Sequence, residues 1–325
     1  MEYLEFFNEG IPDPSQVGGK GANIIKLIQL GINIPTGFVL KANAYRDFLK
    51  KSEKSQQIKE ILSTNLTIKK VLHMSKLIRQ LIRNTSIPRG LLEELKLGYD
   101  KLKNDEGINS SFAVRSSATI EDRGTFSFAG QAESYLYNTS FDYLIESVKN
   151  CWASLFKPSA LLYIIQMNKN GLDLSLLDIH MAVIIQKMVN ADVSGVLFTT
   201  NVINNNSDEI MINSTWGLGE TIANNIVIPD MFILNKKKFN IIKSVLGTKE
   251  KKSIRNPEGP HSIIVESELN YRGIYSLNEN QLKKLYHLGL NLENAFNHPQ
   301  DIEWAIEKNI LYVLQSRPIT TLKNE

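Results

Sequence analysis

DIEWAIEKNILYVLQSRP, residues 301–318, decides how the chain is read. Its apolar residues are those of a buried strand, yet Asp301, Glu303, Gln315 and Arg317 interrupt them, each pair two residues apart. Side chains alternate faces along a strand. A three-residue loop at Glu307–Lys308–Asn309, a known hairpin length, sets Ile306 opposite Ile310, Trp304 opposite Tyr312 and Ile302 opposite Leu314. These six share one face, and Asp301, Glu303, Val313, Gln315 and Arg317 share the other, with Asp301 opposite Gln315. A two-residue loop at Lys308–Asn309 would scramble this separation, so the three-residue loop is expected. Two carboxylates on one strand face suit a hard cation such as Mg²⁺. An arginine on the neighbouring strand suits phosphate oxygens. Together they are what a bound nucleoside triphosphate needs. The hairpin by itself leaves a second reading open, a solvated face carrying an Asp/Glu–Arg ion pair.

Upstream of this hairpin, from about residue 180, short apolar or alternating runs follow one another: MAVIIQKMV, SGVLFTT, DEIMINST, MFILN and FNIIKSVLG. NENQLKKLYHLGLNLENAF then reads as a helix, and NVINNNSDE and GTKEKKSIRNPEGPHS as polar loops, the second long enough to be mobile. The first part of the chain is helical instead. GANIIKLIQLG places Ile24, Leu27, Ile28 and Leu30 at helical spacing with Gly31 as a stop. KANAYRDFLKK, two segments within residues 67–103, FDYLIESVKNCWASLF and PSALLYIIQM read as further helices. The expected class is α+β in two lobes, a helix-rich lobe over 1–180 and a strand-rich lobe over 181–325.

Composition narrows the function. The 325 residues hold 37 Lys plus Arg against 34 Asp plus Glu, a net charge of +3, which argues against a protein built around nucleic-acid binding. The single cysteine, Cys151, permits no internal disulfide and suits a reducing compartment. MEYLEFFNEG has no apolar signal-peptide core, and no run is long enough for a membrane span, so a cytoplasmic protein is expected. The five histidines show no metal-ligand spacing, and neither GxSxG nor HExxH occurs.

Other stretches carry phosphate-type chemistry. QVGGKGAN, residues 16–23, opens a helix with glycines and Lys20, where backbone N–H groups and the helix terminus favour an anion, although the P-loop spacing is missing. SSFAVRSSATIED, residues 110–122, ends a strand at Arg115 and follows it with two hydroxyls, a phosphate-holding pattern or an arginine capping Glu121 or Asp122. Gly130 in TFSFAGQAES could bend a loop over a ligand or form an ordinary turn. IIQKMV, residues 184–189, could offer its backbone to an adenine edge, and STWGLGE could be a phosphate-side turn or only a turn into a helix.

Taken in order, QVGGKGANI, INIPTGF, SFAVRSSATIED, SFAGQ, CWASLF, QKMV, GLGE and PQDIEW…YVLQSRPITTL resemble the N-terminal ATP-binding domain of the phosphoenolpyruvate synthase, pyruvate phosphate dikinase and rifampicin phosphotransferase family. CWASLF and the final segment look closest to the rifampicin phosphotransferases. The resemblance covers about residues 16–322 and implies an ATP-grasp fold, whose two lobes hold ATP. It implies that Lys20 and Arg115 hold phosphates, that Gly130 and Ser134 lie in a loop over the triphosphate, and that Gln186, Met188 and Val189 meet adenine. It also implies that Glu303 with Asp301 binds Mg²⁺, and that Gln315 and Arg317 complete the phosphate site. Lys20, Arg115 and Arg317 become the expected catalytic groups. GQAES departs from the family's usual GQQ and threonine, but Ser134 keeps the hydroxyl. The family cleaves ATP to AMP and phosphate, passing the β-phosphate through a histidine on a swivelling domain to a small-molecule acceptor. No such histidine motif or acceptor domain occurs in this sequence, so a separate histidine-carrying domain or subunit is the expected partner. An ATP-grasp ligase releasing ADP and a non-catalytic nucleotide-binding partner stay open as alternatives.

Overall fold

A computed structural model describes residues 1–62, 67–119, 133–169, 171 and 179–319. The chain divides into two compact units, one of Met1–Lys26 with Thr36–Met188 and one of Leu27–Pro35 with Val189–Glu325.

The first unit runs β1 (Leu4–Phe6), α1 (Pro14–Gln29, whose end passes into the second unit), β2 (Gly37–Leu40), α2 (Ala42–Lys51), α3 (Ser55–Leu62), α4 (Val71–Asn84), α5 (Arg89–Glu106), β3 (Phe112–Ala118), β4 (Ser134–Asn138), α6 (Phe141–Ser154), α7 (Pro158–Lys169) and β5 (Met181–Lys187). The strands form an antiparallel sheet in the order β1-β2-β5-β3-β4. One face of it, with Phe38, Leu40, Phe112, Val114, Val183 and Ile185, packs into a core with Phe48, Ile78, Leu95 and Trp152 from the helices. The helices form where apolar residues recur at three- and four-residue spacing: α4 buries Val71, Met74, Ile78, Leu81 and Ile82. Ser140 caps α6, its side chain accepting from the Tyr143 N–H. MAVIIQK, grouped by sequence with the C-terminal strands, is the middle strand of this first sheet. Six of its seven residues are buried, and a strand covered on both faces reads as an unbroken apolar run wherever in the chain it stands.

The second unit runs β6 (Val193–Phe198), β7 (Glu209–Trp216), α8 (Glu220–Ala223), β8 (Asp230–Asn235), β9 (Ile241–Val245), β10 (Lys251–Arg255), β11 (Ser262–Glu266), α9 (Leu269–Arg272), α10 (Glu279–Phe296), β12 (Gln300–Glu307) and β13 (Ile310–Pro318). Six strands form a second antiparallel sheet, ordered β13-β12-β6-β7-β8-β9. α10 starts at a capping box between Asn278 and Gln281 and buries Leu282, Leu285 and Leu292. A fully buried charge cluster ties β8 to the segments after it. Asp230 accepts from Lys249 Nζ at 2.5 Å and from the Gly247 N–H, and its other oxygen accepts from the N–H and hydroxyl of Ser276. GTKEKKSIRNPEGPHS, expected as a loop, supplies β10 and the turn of the β10–β11 hairpin, with Lys251 opposite Glu266 and Ile254 opposite Ile263. Cross-strand pairing and the buried Ser253, whose hydroxyl donates to Glu220 at 2.5 Å, hold it in place of an apolar alternation.

Candidate functional site

In the first unit three of the expected nucleotide residues, Arg115, Ser134 and Gln186, share the sheet face turned away from the helical core. Ala113, Arg115 and Ser117 alternate along β3 with the core residues Phe112 and Val114. Arg115 pairs with Ser134 on β4 and with Ile184 on β5, and Gln186 pairs with Ala113 and Gly37, so Arg115, Ser134 and Gln186 lie on one face. Gln186 is buried, Arg115 and Lys20 are half-buried, and Ser134 is exposed. α1 packs on the same face. The Ser117 hydroxyl accepts from the Gly21 N–H at 3.1 Å and donates to the Val17 carbonyl at 2.9 Å, while Lys20 Nζ donates to the Ser116 carbonyl at 3.4 Å. Gly18 breaks α1 with φ 71° and ψ 170°, and a Cβ there would lie 2.3 Å from the Ser117 carbonyl oxygen. The glycine therefore lets the turn rest on β3 and brings Lys20 beside it.

The two hydroxyls read as phosphate holders are committed elsewhere. Ser117 is fully buried under α1, and Ser116, on the opposite side of the strand, accepts from the Glu133 N–H at 3.1 Å. Strand alternation sends them to different faces, so their role is to tie α1 and β4 to β3.

At the far end of β5 the Met188 N–H donates to the Ser111 carbonyl at 2.8 Å. Beside it Lys187 pairs with Glu106, which also accepts from the Thr36 hydroxyl at 2.5 Å. Burial acts to raise the Glu106 carboxyl pKa, but the hydrogen bonds from Lys187 and Thr36 outweigh it and hold the group below its ordinary value. Sequence reading missed Glu106: it ends α5, and nothing local ties it to β5. Gly130 lies outside the described residues.

In the second unit the polar hairpin face is present, but it is made differently from the expectation. The turn has two residues, Lys308 and Asn309, with φ 49° and 65°, the left-handed pair that matches strand twist. Glu307 therefore faces Ile310, Ile306 faces Leu311, Ala305 faces Tyr312 and Trp304 faces Val313. A bulge between Glu303 and Trp304 then takes up the extra residue, so that Glu303 faces Gln315 and Asp301 faces Arg317. Without the bulge this turn would split the four polar residues between faces. Val313, expected on the polar face, is buried on the Trp304 side.

Arg317 Nε and Nη2 each lie 2.8 Å from Asp301 Oδ2. The Asp301 side chain is 12% exposed. Burial pushes its carboxyl above the usual range and Glu303 adds to this, while Arg317 opposes it. Asp301 is thus a half-buried carboxylate paired with Arg317, with a second carboxylate two residues along the same face. These two hard oxygen donors fit a Mg²⁺ that draws the rest of its shell from water and phosphate. Among the described residues no cluster of three or more His, Cys, Asp or Glu could cage a metal by itself. Val189, at the start of this unit, is buried.

STWGLGE turns into the four-residue α8. The Gly217 carbonyl accepts from the Ser194 hydroxyl at 2.6 Å and the Leu218 N–H donates to Ser253 at 3.0 Å, so the glycine turn is anchored to β6 and β10. No helix among the described residues is long and apolar enough to cross a membrane.

The family described as pyruvate phosphate dikinase, AMP/ATP-binding domain, matches residues 14–325. The phosphoenolpyruvate synthase of Pyrococcus furiosus is 36% identical, with 99% of this chain and 44% of the relative covered. A probable phosphoenolpyruvate synthase of Archaeoglobus fulgidus is 38% identical over 95% of this chain and 40% of the relative. The rifampicin phosphotransferase of Bacillus subtilis is 34% identical over 95% of this chain and 34% of the relative. The chain thus spans less than half the length of these relatives.

Proposed function

The chain belongs to the pyruvate phosphate dikinase AMP/ATP-binding domain family, and from that premise we propose that it binds ATP with Mg²⁺ and performs the ATP-cleaving part of a dikinase-type phosphotransfer. The observation that carries this reading is the bulged β12–β13 ribbon, which sets Asp301 against Arg317 and Glu303 against Gln315 on one face. Asp301 and Glu303 supply the metal carboxylates. Bound Mg²⁺ would neutralise charge on the phosphate oxygens. Arg317 and Gln315 hold phosphate oxygens by charge-assisted and neutral hydrogen bonds. Lys20 and Arg115 add positive charge, Ser134 a hydroxyl and Gly130 a close backbone approach. Gln186, Met188 and Val189 orient the base. Phosphoryl transfer needs little more from a protein than positioning and charge stabilisation.

The β-phosphate then passes by way of a histidine on a separate domain or subunit to a small-molecule acceptor, while the γ-phosphate leaves as inorganic phosphate and AMP is released. The single cysteine, which is buried, favours a reducing, cytoplasmic setting. Arg317→Ala and Glu303→Ala are expected to lower ATP turnover by about 10³-fold or more with the fold retained. Turnover would be read by mass spectrometry of the nucleotide product, with and without a histidine-carrier protein. Wild-type turnover in either variant would refute the assigned roles. ADP as the product would point to the ligase chemistry instead, and ATP binding with no turnover under any pairing to a non-catalytic role.

A further inference from the structure

The helix α4 buries one side in the core of the first unit and turns a basic stripe outward. Lys76, Arg79 and Arg83, with Gln80 and Asn84 beside them, recur at three- and four-residue spacing, which aligns them on one helix face. They wall a cavity of about 360 Å³ that Pro158, at the start of α7, borders on the other side. Three cations and two side-chain amides line the cavity, and among the described residues no carboxylate does. Among the described residues no ion pair engages Lys76, Arg79 or Arg83. Arg83 is held in place by α6: its Nε donates to Asn150 Oδ1 at 2.7 Å, and its carbonyl accepts from Lys149 Nζ at 2.6 Å. The Arg79 Nε is buried and has no hydrogen-bond partner. A buried charged donor without an acceptor is costly, and native structures rarely keep one without a reason.

We propose that this cavity is a binding site for a phosphorylated small molecule. Arg79 and Arg83 present guanidinium forks to the phosphate oxygens, since their planar geometry matches a phosphate. Lys76 adds the third charge. One carboxylate needs a single cation, whereas three cations in one small cavity suit a phosphate dianion. Gln80 and Asn84 offer donors and acceptors to the polar part of the ligand body, and Pro158 gives it an apolar wall. The volume is that of a small metabolite site. The cavity is separate from the nucleotide residues of the same unit, because α4 packs on α6 and α7, and α6 in turn on β3, on the core side that holds Val114, whereas Arg115 alternates to the opposite face of the strand.

Hydrogen exchange over residues 71–84 tests this, with inorganic phosphate and glycerol 3-phosphate as probes at millimolar concentration. Saturable protection of α4 is expected, retained in Arg317→Ala and weakened at least ~tenfold in affinity in Arg79→Gln/Arg83→Gln. Tighter binding of glycerol 3-phosphate than of inorganic phosphate would support an organic ligand body against Pro158. Should the double variant melt early, Lys76→Gln at an exposed position replaces it, with weaker binding again expected. Absence of saturable protection, unchanged affinity in the α4 variants, or loss of binding in Arg317→Ala would each overturn the proposal.

Discussion

Replacing Gly18 by alanine tests whether the glycine turn of α1 is held in place by the strand beneath it. Gly18 has φ 71° and ψ 170°, a conformation that costs a residue with a Cβ about 1–3 kcal/mol. The added Cβ would also lie 2.2 Å from Ser117 Oγ and 2.3 Å from its carbonyl oxygen. Backbone cannot move aside as a flexible side chain can, and such overpacking adds about 1–3 kcal/mol. Gly107, in the same unit, is the control. It has φ 92° and ψ 151°, the same class of conformation, and a Cβ there would meet nothing within 4 Å. Gly107→Ala therefore carries only the strain, about 1–3 kcal/mol, while Gly18→Ala carries both terms, about 2–6 kcal/mol. The difference of ~1–3 kcal/mol corresponds to about 2–12 °C in melting temperature for a unit of this size. Calorimetric melting, with hydrogen exchange of first-unit peptides to assign the transition, measures it. Gly18→Ala should also raise KM for ATP, because Lys20 follows the turn, and Gly107→Ala should not. Two alanine variants within about 0.5 kcal/mol of each other would refute the reasoning.

Lys249→Met leaves the fully buried Asp230 carboxylate without its cation and is expected to destabilise the second unit by about 3–5 kcal/mol in urea titrations; a loss under about 1 kcal/mol would show that Gly247 and Ser276 suffice. Glu106→Gln tests the contact at the end of β5. Because the folded Glu106 pKa is lowered, its stabilisation is present above the ordinary glutamate value of about 4.3 and is lost as pH falls through the folded value. The stability gap between wild type and Glu106→Gln should accordingly shrink on acidification, and a gap that stays constant with pH would contradict the assigned pairing.

Sequence by itself determined the element types, because periodicity is local. The helical spacing in GANIIKLIQLG and NENQLKKLYHLGLNLENAF, and the alternation in DIEWAIE, need only neighbouring residues to be read, and α1, α10 and β12 stand where they were expected. The ordered motifs also pointed to the family. What depends on contacts between distant residues was decided only by the tertiary structure. MAVIIQK has the same composition in either unit, and pairing with β2 and β3 put it at the centre of the first sheet. The hairpin polarity could be read, but not its register: a two-residue turn and a bulge together give the face that a three-residue loop was expected to give. The polar β10–β11 hairpin carries no apolar period, and Ser253 and Glu220 reveal it only once they are adjacent. Ser117 acts on a residue 100 positions away and Glu106 on one 81 positions away. A side chain's neighbours along the chain set its local conformation, whereas its partners across the fold set its role, and only the folded chain brings those partners within hydrogen-bonding distance.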